Sequence, residues 1–434
     1  MLARLLSSIP RLILRLFAVV GLALFLMFGL RFSTPPLGEP WTAIGILARD
    51  YQFDYVTWEL NALAVKAVQT LYGLHPYMTE EARSQYVRDY MADLGHAQAL
   101  ENRISRIYAD PDIDDPDQAS LELRAERDAL RADLNRRQAL AEAILEGQVA
   151  RVLVDEGFGF YGQLLPPISA HFTQVPNLLV VSPRDRISFD IAINLNPMPV
   201  DAQIALEEQI DRAHDVSSLI VPLGGIALYP SMILETSSIP YAIEVFAHEW
   251  LHHYLLVFPL GFSYDFAGEA RIINETTANL FGREIAPLVL QRYYPELAPR
   301  PPEQPETDDI AVAPAPPASP PRFDFGMAMH ETRVRVDELL AEGKVEEAEA
   351  YMEERRELFV ANGYHLRKLN QAFFAFYGGY QSGTPGEGGS DPIGPAVQAI
   401  RDASPSIHDW IVTMRTIVSR DQLLAVRDRL APEA

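Results

Sequence analysis

The chain carries 434 residues, with 36 Lys plus Arg against 59 Asp plus Glu, a net charge of −23 and no Cys. Without Cys there are no disulfides, thiolate metal ligands or cysteine nucleophiles. The acidic balance argues against a nucleic-acid partner, because neutralising phosphates takes clusters of Lys and Arg that this chain lacks, and leaves solubility as the plain meaning of the charge.

Residues 12–30 (LILRLFAVVGLALFLMFGL) are apolar apart from Arg15. A membrane span takes about 17 to 25 such residues, and Arg4, Arg11 and Arg15 precede the apolar core from Leu16 to Leu30 while Arg31 directly follows it. The positive-inside rule then predicts a cytoplasmic N-terminus over 1–11, a single-pass anchor over 12–31 that attaches the protein to the membrane, and a catalytic part outside the cytoplasm. A secretory signal peptide competes with this reading, but no small-x-small cleavage site follows the run.

Residues 41–155 read as helical. Trp41 to Tyr72 is rich in Ala, Leu and aromatics, and after the breaker from Asp110 to Pro116 comes a charged run, Leu121 to Val154. There Leu123, Leu130, Leu134, Ala141 and Ile144 recur at helical spacing, which predicts a long surface helix or one arm of a helical hairpin with a packing role. Residues 156–295 form the expected catalytic core. From Pro176 the pattern shifts to short β-like runs at Asn177 to Val181, Ile187 to Ile193, Ser218 to Val221 and Ile226 to Leu234. The stretch Ile226 to Pro230 is a candidate edge strand, since Pro is tolerated at an edge; an ordinary hairpin inside the sheet is the alternative.

The most informative feature is His248-Glu249-Trp250-Leu251-His252. Ser237 or Ser238 can cap a helix there, with Pro240 in its first turn, and the segment from Ile239 to Val257 is apolar on nearly every side, which means burial. On a helix, positions i and i+4 share a face, so both imidazoles can meet one metal ion with Glu249 beside it. Two buried His and a Glu without partners would cost several kcal/mol. Zinc, with two imidazoles, a carboxylate and an open position for water, accounts for them; a hydrogen-bonded core pair is the bland alternative.

A second helix is predicted from about Ala267 to Ile285, with Glu275, preceded by Asn274, as the third ligand. Asn279, one turn on, is placed to hydrogen-bond a ligating His from behind. Asp265 and Glu269 are rival ligands, and an exposed pair between Glu275 and Arg271 is the structural alternative.

At this point the sequence resembles the gluzincin metallopeptidases, in which His-Glu-x-x-His is followed on the next helix by a glutamate ligand often preceded by Asn. The match covers residues 240–285. It implies His248, His252 and Glu275 as zinc ligands, Glu249 as general base, and Asn279 where some members place an acidic supporting residue. Two departures stand out: the spacing from His252 to Glu275 is a few residues longer than in the best-known branches, and no Gly-Ala-Met-Glu-Asn-type substrate strand is present. The resemblance also implies a strand ahead of the metal helix that binds extended peptide, and a helical C-terminal lobe that supplies an oxyanion donor, for which Tyr377, Tyr380 and His365 are candidates against an aromatic core stripe.

Residues 296–322 are Pro-rich and nearly free of large apolar residues, as a linker or loop is. The C-terminal lobe, 323–434, begins with a predicted helical hairpin from Met327 to Ala361 turning at Gly343, then an aromatic helix from Gly363 to Tyr380, then a flexible Gly383 to Gly394 loop. The expected fold class is α+β: a zincin-like domain with a small sheet and an active-site helix, flanked by helical lobes and preceded by a transmembrane helix. The expected function is zinc-dependent hydrolysis of peptide bonds in a peptide or protein substrate. A zinc-stabilised envelope scaffold, or a zinc hydrolase of a non-peptide substrate, are the alternatives.

Overall fold

Residues 17–25 form a helix whose side chains are all exposed. The computed structural model describes residues 17–25, 39–72, 75–110, 112–299, 323–381, 386 and 388–431. Among the described residues no helix is long and apolar enough to cross a membrane. The single-pass anchor, the fold class that included it and the extracytoplasmic placement derived from it are thereby overturned; positions 12–16 and 26–31 of the expected span lie outside the described residues. The Pro-rich stretch, from 300 to 322, lies outside them as well.

Residues 1–50 and 51–434 form separate units. The second begins with a helix over Tyr55–Tyr72, followed by α1 (Glu80–Ala109) and α2 (Leu121–Leu153). Thr79 caps α1 by accepting from the Ala82 N–H. Arg131 pairs with Glu101 and Arg137 with Asp93 across the two helices, so the charged run is one arm of a hairpin, with Leu134, Ala141, Ile144 and Leu145 facing the core.

The β content falls into three small sheets rather than the single one expected. A two-residue hairpin pairs Gly159–Phe160 with Gln163–Leu164. In the second sheet β1 (Ala170–Thr173) runs parallel to β6 (Ser231–Leu234), and β5 (Gly225–Ile226) is antiparallel on β6's other side. In the third, β2 (Asn177–Pro183) lies between β3 (Ile191–Leu195) and β4 (Val216–Pro222), antiparallel to both, with Leu179 opposite Ile193 and Ile220. The predicted run Ile226 to Leu234 is therefore two strands. Its edge position holds for Gly225–Ile226, while Pro230 follows a cis bond outside either strand. A helix over Val200–His214, absent from the sequence reading, separates β3 from β4.

The two edges of the second sheet differ. Along β1, the Ala170 and Phe172 N–H groups donate to Glu146 and Glu142 of α2, and Gln138 of the same helix donates to the Phe172 carbonyl. Three side chains at helical spacing thus satisfy that edge as a strand would. Among the described residues no side chain covers the β5 edge in this way, and Gly225 and Ile226 help to line the large cleft.

The chemistry-bearing helices are α3 (Ile239–Leu255) and α4 (Gly268–Tyr293). Ser238 caps α3 through the Tyr241 N–H and Pro240 sits in its first turn, as the sequence predicts. The two helices approach closely at Gly282, where an added Cβ would lie 2.7 Å from the Glu244 carbonyl oxygen. Apolar side chains of α1 to α4 share one core with Ile393–Ala403 and Trp410, including Ile144, Trp250, Phe281 and Ile400.

Beyond them, α5 (Phe325–Ala341) and α6 (Val345–Ala361) form the expected hairpin. Gly343 turns it at φ +74°, a conformation that costs Gly little. The aromatic helix, α7 (Gln371–Tyr377), starts later than predicted, with Asn370 as its cap. Leu178, Val180, Leu219 and Val221 of the third sheet pack with α5 to α7 in a second core.

Candidate metal centre

Helical geometry on α3 brings His248 and His252 together: their Nε2 atoms lie 3.1 Å apart. Helix α4 supplies the third group, since Glu275 Oε2 is 3.5 Å from His248 Nε2 and 3.6 Å from His252 Nε2. Ligands about 2.0 to 2.1 Å from a tetrahedral zinc are separated by roughly 3.3 Å, and the observed spacings bracket that value. Glu275 Oε2 is buried with no hydrogen-bond partner. Such an atom calls for an explanation, and a shared cation provides one. The three residues form the candidate metal-holding group among the described residues, and the donor set suits a divalent ion such as zinc.

Supporting contacts orient two of the ligands. His252 Nδ1 lies 2.8 Å from Asn274 Oδ1, while the Asn274 amide nitrogen donates to the Leu260 carbonyl. The amide oxygen therefore accepts from Nδ1–H, leaving the Nε2 lone pair for a metal. The sequence reading gave this supporting role to Asn279, which is half-buried, makes no such contact and lies off the cleft lining. Asn274, the residue before Glu275, is the asparagine that reaches His252, anchored by its own bond to the Leu260 carbonyl. Tyr264, in the connection between the two helices, donates its hydroxyl to Glu275 Oε1. Nothing local in the sequence signals that contact.

The electrostatics follow from burial and proximity. Burial would raise the Glu275 carboxyl, but the His252 and His248 rings hold it well below the usual carboxylate range. Burial likewise opposes charge on His252, yet Glu275 outweighs it and lifts the imidazole to about 9. Metal-free, the cluster balances the Glu275 charge with a proton on His252, so binding a divalent cation releases that proton. Burial pushes Glu249 up, partly offset by the two histidines.

These groups line a cavity of about 690 Å³. Glu249 stands on its wall against β5, where a Cβ on Gly225 would come within 2.3 Å of Glu249 Oε1. Tyr380 also lines the cavity. Burial and the Glu275 and Glu249 charges push its hydroxyl well above the ordinary tyrosine range, so it stays protonated. The two other expected donors are not there: Tyr377 packs its ring on Phe373 and Phe376, and His365 is exposed ahead of α7. Neither lines the cavity.

The rival third ligands are engaged elsewhere. Asp265 pairs with Arg271 at 3.2 Å, which also removes the expected alternative of an Arg271 pair with Glu275. Glu269 accepts from the Arg420 backbone N–H at 3.0 Å.

No protein-family model matches the chain, and neither a curated protein nor a solved structure matches it. The zincin-like part of the expected fold class is accordingly withdrawn: the chain has a mixed helical and sheet architecture with three small sheets, and no known structure supports the narrower assignment.

Proposed function

We propose that the chain is a zinc-dependent peptidase, with His248, His252 and Glu275 as metal ligands and Glu249 as general base. The observation that carries the reading is a three-ligand cluster on the wall of an open cavity, with a carboxylate beside it. A closed structural zinc site takes four protein ligands, whereas a catalytic one keeps a position for water. Asp265 and Glu269, which would have completed a closed set, are held by Arg271 and Arg420.

Zinc held by His248, His252 and Glu275 would supply Lewis acidity and lower the pKa of a water. Glu249, on the cavity wall beside the cluster, is placed to take a proton as general base and to return it to a leaving amine. Asn274 holds His252 in the ligating tautomer and Tyr264 holds Glu275. Tyr380, protonated and with no described residue engaging its hydroxyl, donates to the oxyanion. The uncovered β5 edge, beside Glu249, favours an extended peptide as substrate, because such a chain can pair with it as a further strand.

The direct test is metal-dependent hydrolysis. Purified protein stripped with a chelator is expected to lose cleavage of an internally quenched peptide mixture and to regain it on adding one equivalent of Zn²⁺. Failure to bind zinc stoichiometrically overturns the reading. Gly225→Ala gives a second check, because its methyl group displaces the Glu249 carboxylate without touching a ligand. That variant is expected to keep its zinc and to lose at least about tenfold in kcat, the scale of a general base moved out of reach. An unchanged kcat would show that Glu249 is not held in place by β5.

A further inference from the structure

Three arginines line the cleft, and their commitments differ. Arg333 is held by both oxygens of Asp337 at 2.9 and 3.0 Å. Arg420 pairs with Asp391 at 3.3 Å and lies 3.9 Å from Glu269. Among the described residues Arg271 pairs with Asp265 alone, through one 3.2 Å hydrogen bond to a carboxylate that is 77% exposed and so weakened by solvent. With five N–H donors on a guanidinium, most of this fork is left for another partner.

The surroundings give that fork a direction. Arg271 lies one helical turn before Glu275 on α4, and its guanidinium carbon is 4.5 Å from the ring centroids of both Phe189 and Tyr264. Two aromatic faces hold the planar group in place and partly dry it, which strengthens any charge it meets. The Tyr264 ring under it is the one whose hydroxyl donates to Glu275, so the cation sits one side chain away from the metal-ligand cluster. The apolar side chains of Ile187, Leu223 and Ile226 line the same cleft. In a chain of net charge −23, a rigid cation with free donors at this place is a local exception to the repulsion an anionic ligand would otherwise meet.

We propose that Arg271 binds a carboxylate of the substrate next to the scissile bond, so that the cleft selects peptides carrying a negative charge there. The inference rests on the peptidase reading above. A planar carboxylate matches the fork in two-point geometry, which an ammonium at the same place would not reproduce. Two sources share this chemistry: an Asp or Glu side chain, and the free C-terminus of a peptide.

The test uses the zinc-loaded full chain and three matched peptides: one with an acidic side chain beside the cleaved bond and an amidated end, one neutral with its free C-terminus there, and one neutral and amidated. One of the two carboxylate-bearing peptides is expected to exceed the neutral one in kcat/KM by at least about tenfold, the scale of a single charge-assisted hydrogen bond; which one does so identifies the source. In Arg271→Gln that ratio is expected to fall to about one with zinc content unchanged, and in Arg271→Lys to recover only in part. A ratio that survives Arg271→Gln overturns the proposal, as does equal cleavage of all three peptides by the unaltered chain. Should no peptide be cleaved, the peptidase reading fails by itself, and calorimetry with a pair of zinc-binding hydroxamates, with and without a carboxylate, decides the arginine's role. A tenfold preference abolished by Arg271→Gln upholds it; equal affinities overturn it.

Discussion

Glu249→Gln is expected to keep the fold and the zinc while losing hydrolysis by ~10²-fold or more, because an amide cannot take the proton of a metal-bound water. The substitution leaves the three ligand atoms, spaced 3.1 to 3.6 Å apart, untouched. His252→Ala and Glu275→Ala act on the other half of the chemistry. Each removes a ligand, so metal content by atomic absorption is expected to fall sharply in both. Loss of zinc from Glu249→Gln, or full zinc in Glu275→Ala, would contradict the assigned roles. The contrast between the variants matters more than either loss, since a merely misfolded protein would lose zinc and activity together.

A comparably large effect, on stability, is expected far from the cleft. Lys66 Nζ lies 2.7 Å from Glu142 Oε2 and 2.8 Å from Glu146 Oε1, with the Glu142 side chain fully buried. Lys66→Met removes the cation that the two carboxylates share and leaves Glu142 with its His171 contact; removing one partner from a buried pair costs about 3 to 5 kcal/mol. Both carboxylates also cover the β1 edge, so the damage should reach the sheet beside the cleft. Burial alone would raise Glu142, but the Lys66 charge and the His171 contact outweigh it and hold the carboxyl at about 2, below its ordinary 4.5. A depressed carboxyl contributes stability that is fully present above its unfolded value and lost as pH falls through its folded one. The metal-free protein is therefore expected to lose this contribution between about pH 4.5 and 2, and Lys66→Met to show a shallower acid limb from a lower start. Urea titrations at pH 7 and at low pH measure both. A loss under about 1 kcal/mol at pH 7, the range of an exposed pair, would mean that water reaches the cluster.

Local periodicity placed the part of this molecule that depends only on neighbours along the chain. An i, i+4 spacing dictates that two imidazoles share a helix face wherever the helix goes, so His248, His252 and the capped start at Ser238 were legible, as was the hairpin turning at Gly343. Glu275 was legible as a carboxylate one helix later, with Asp265 and Glu269 competing. What separated them was the approach of α3 and α4, set by Gly282 against the Glu244 carbonyl, and no spacing along the chain encodes that approach. The same packing turned Asn274 rather than Asn279 toward His252, brought Tyr264 onto Glu275 and set Gly225 against Glu249. It also divided the β segments into three sheets and left one edge open. The apolar count that suggested a membrane span carried no such geometry, and among the described residues no helix is long and apolar enough to be one. Helix faces and turns follow from backbone sterics within a few residues; which faces meet is decided by burial summed over residues far apart, and the site exists only where they meet.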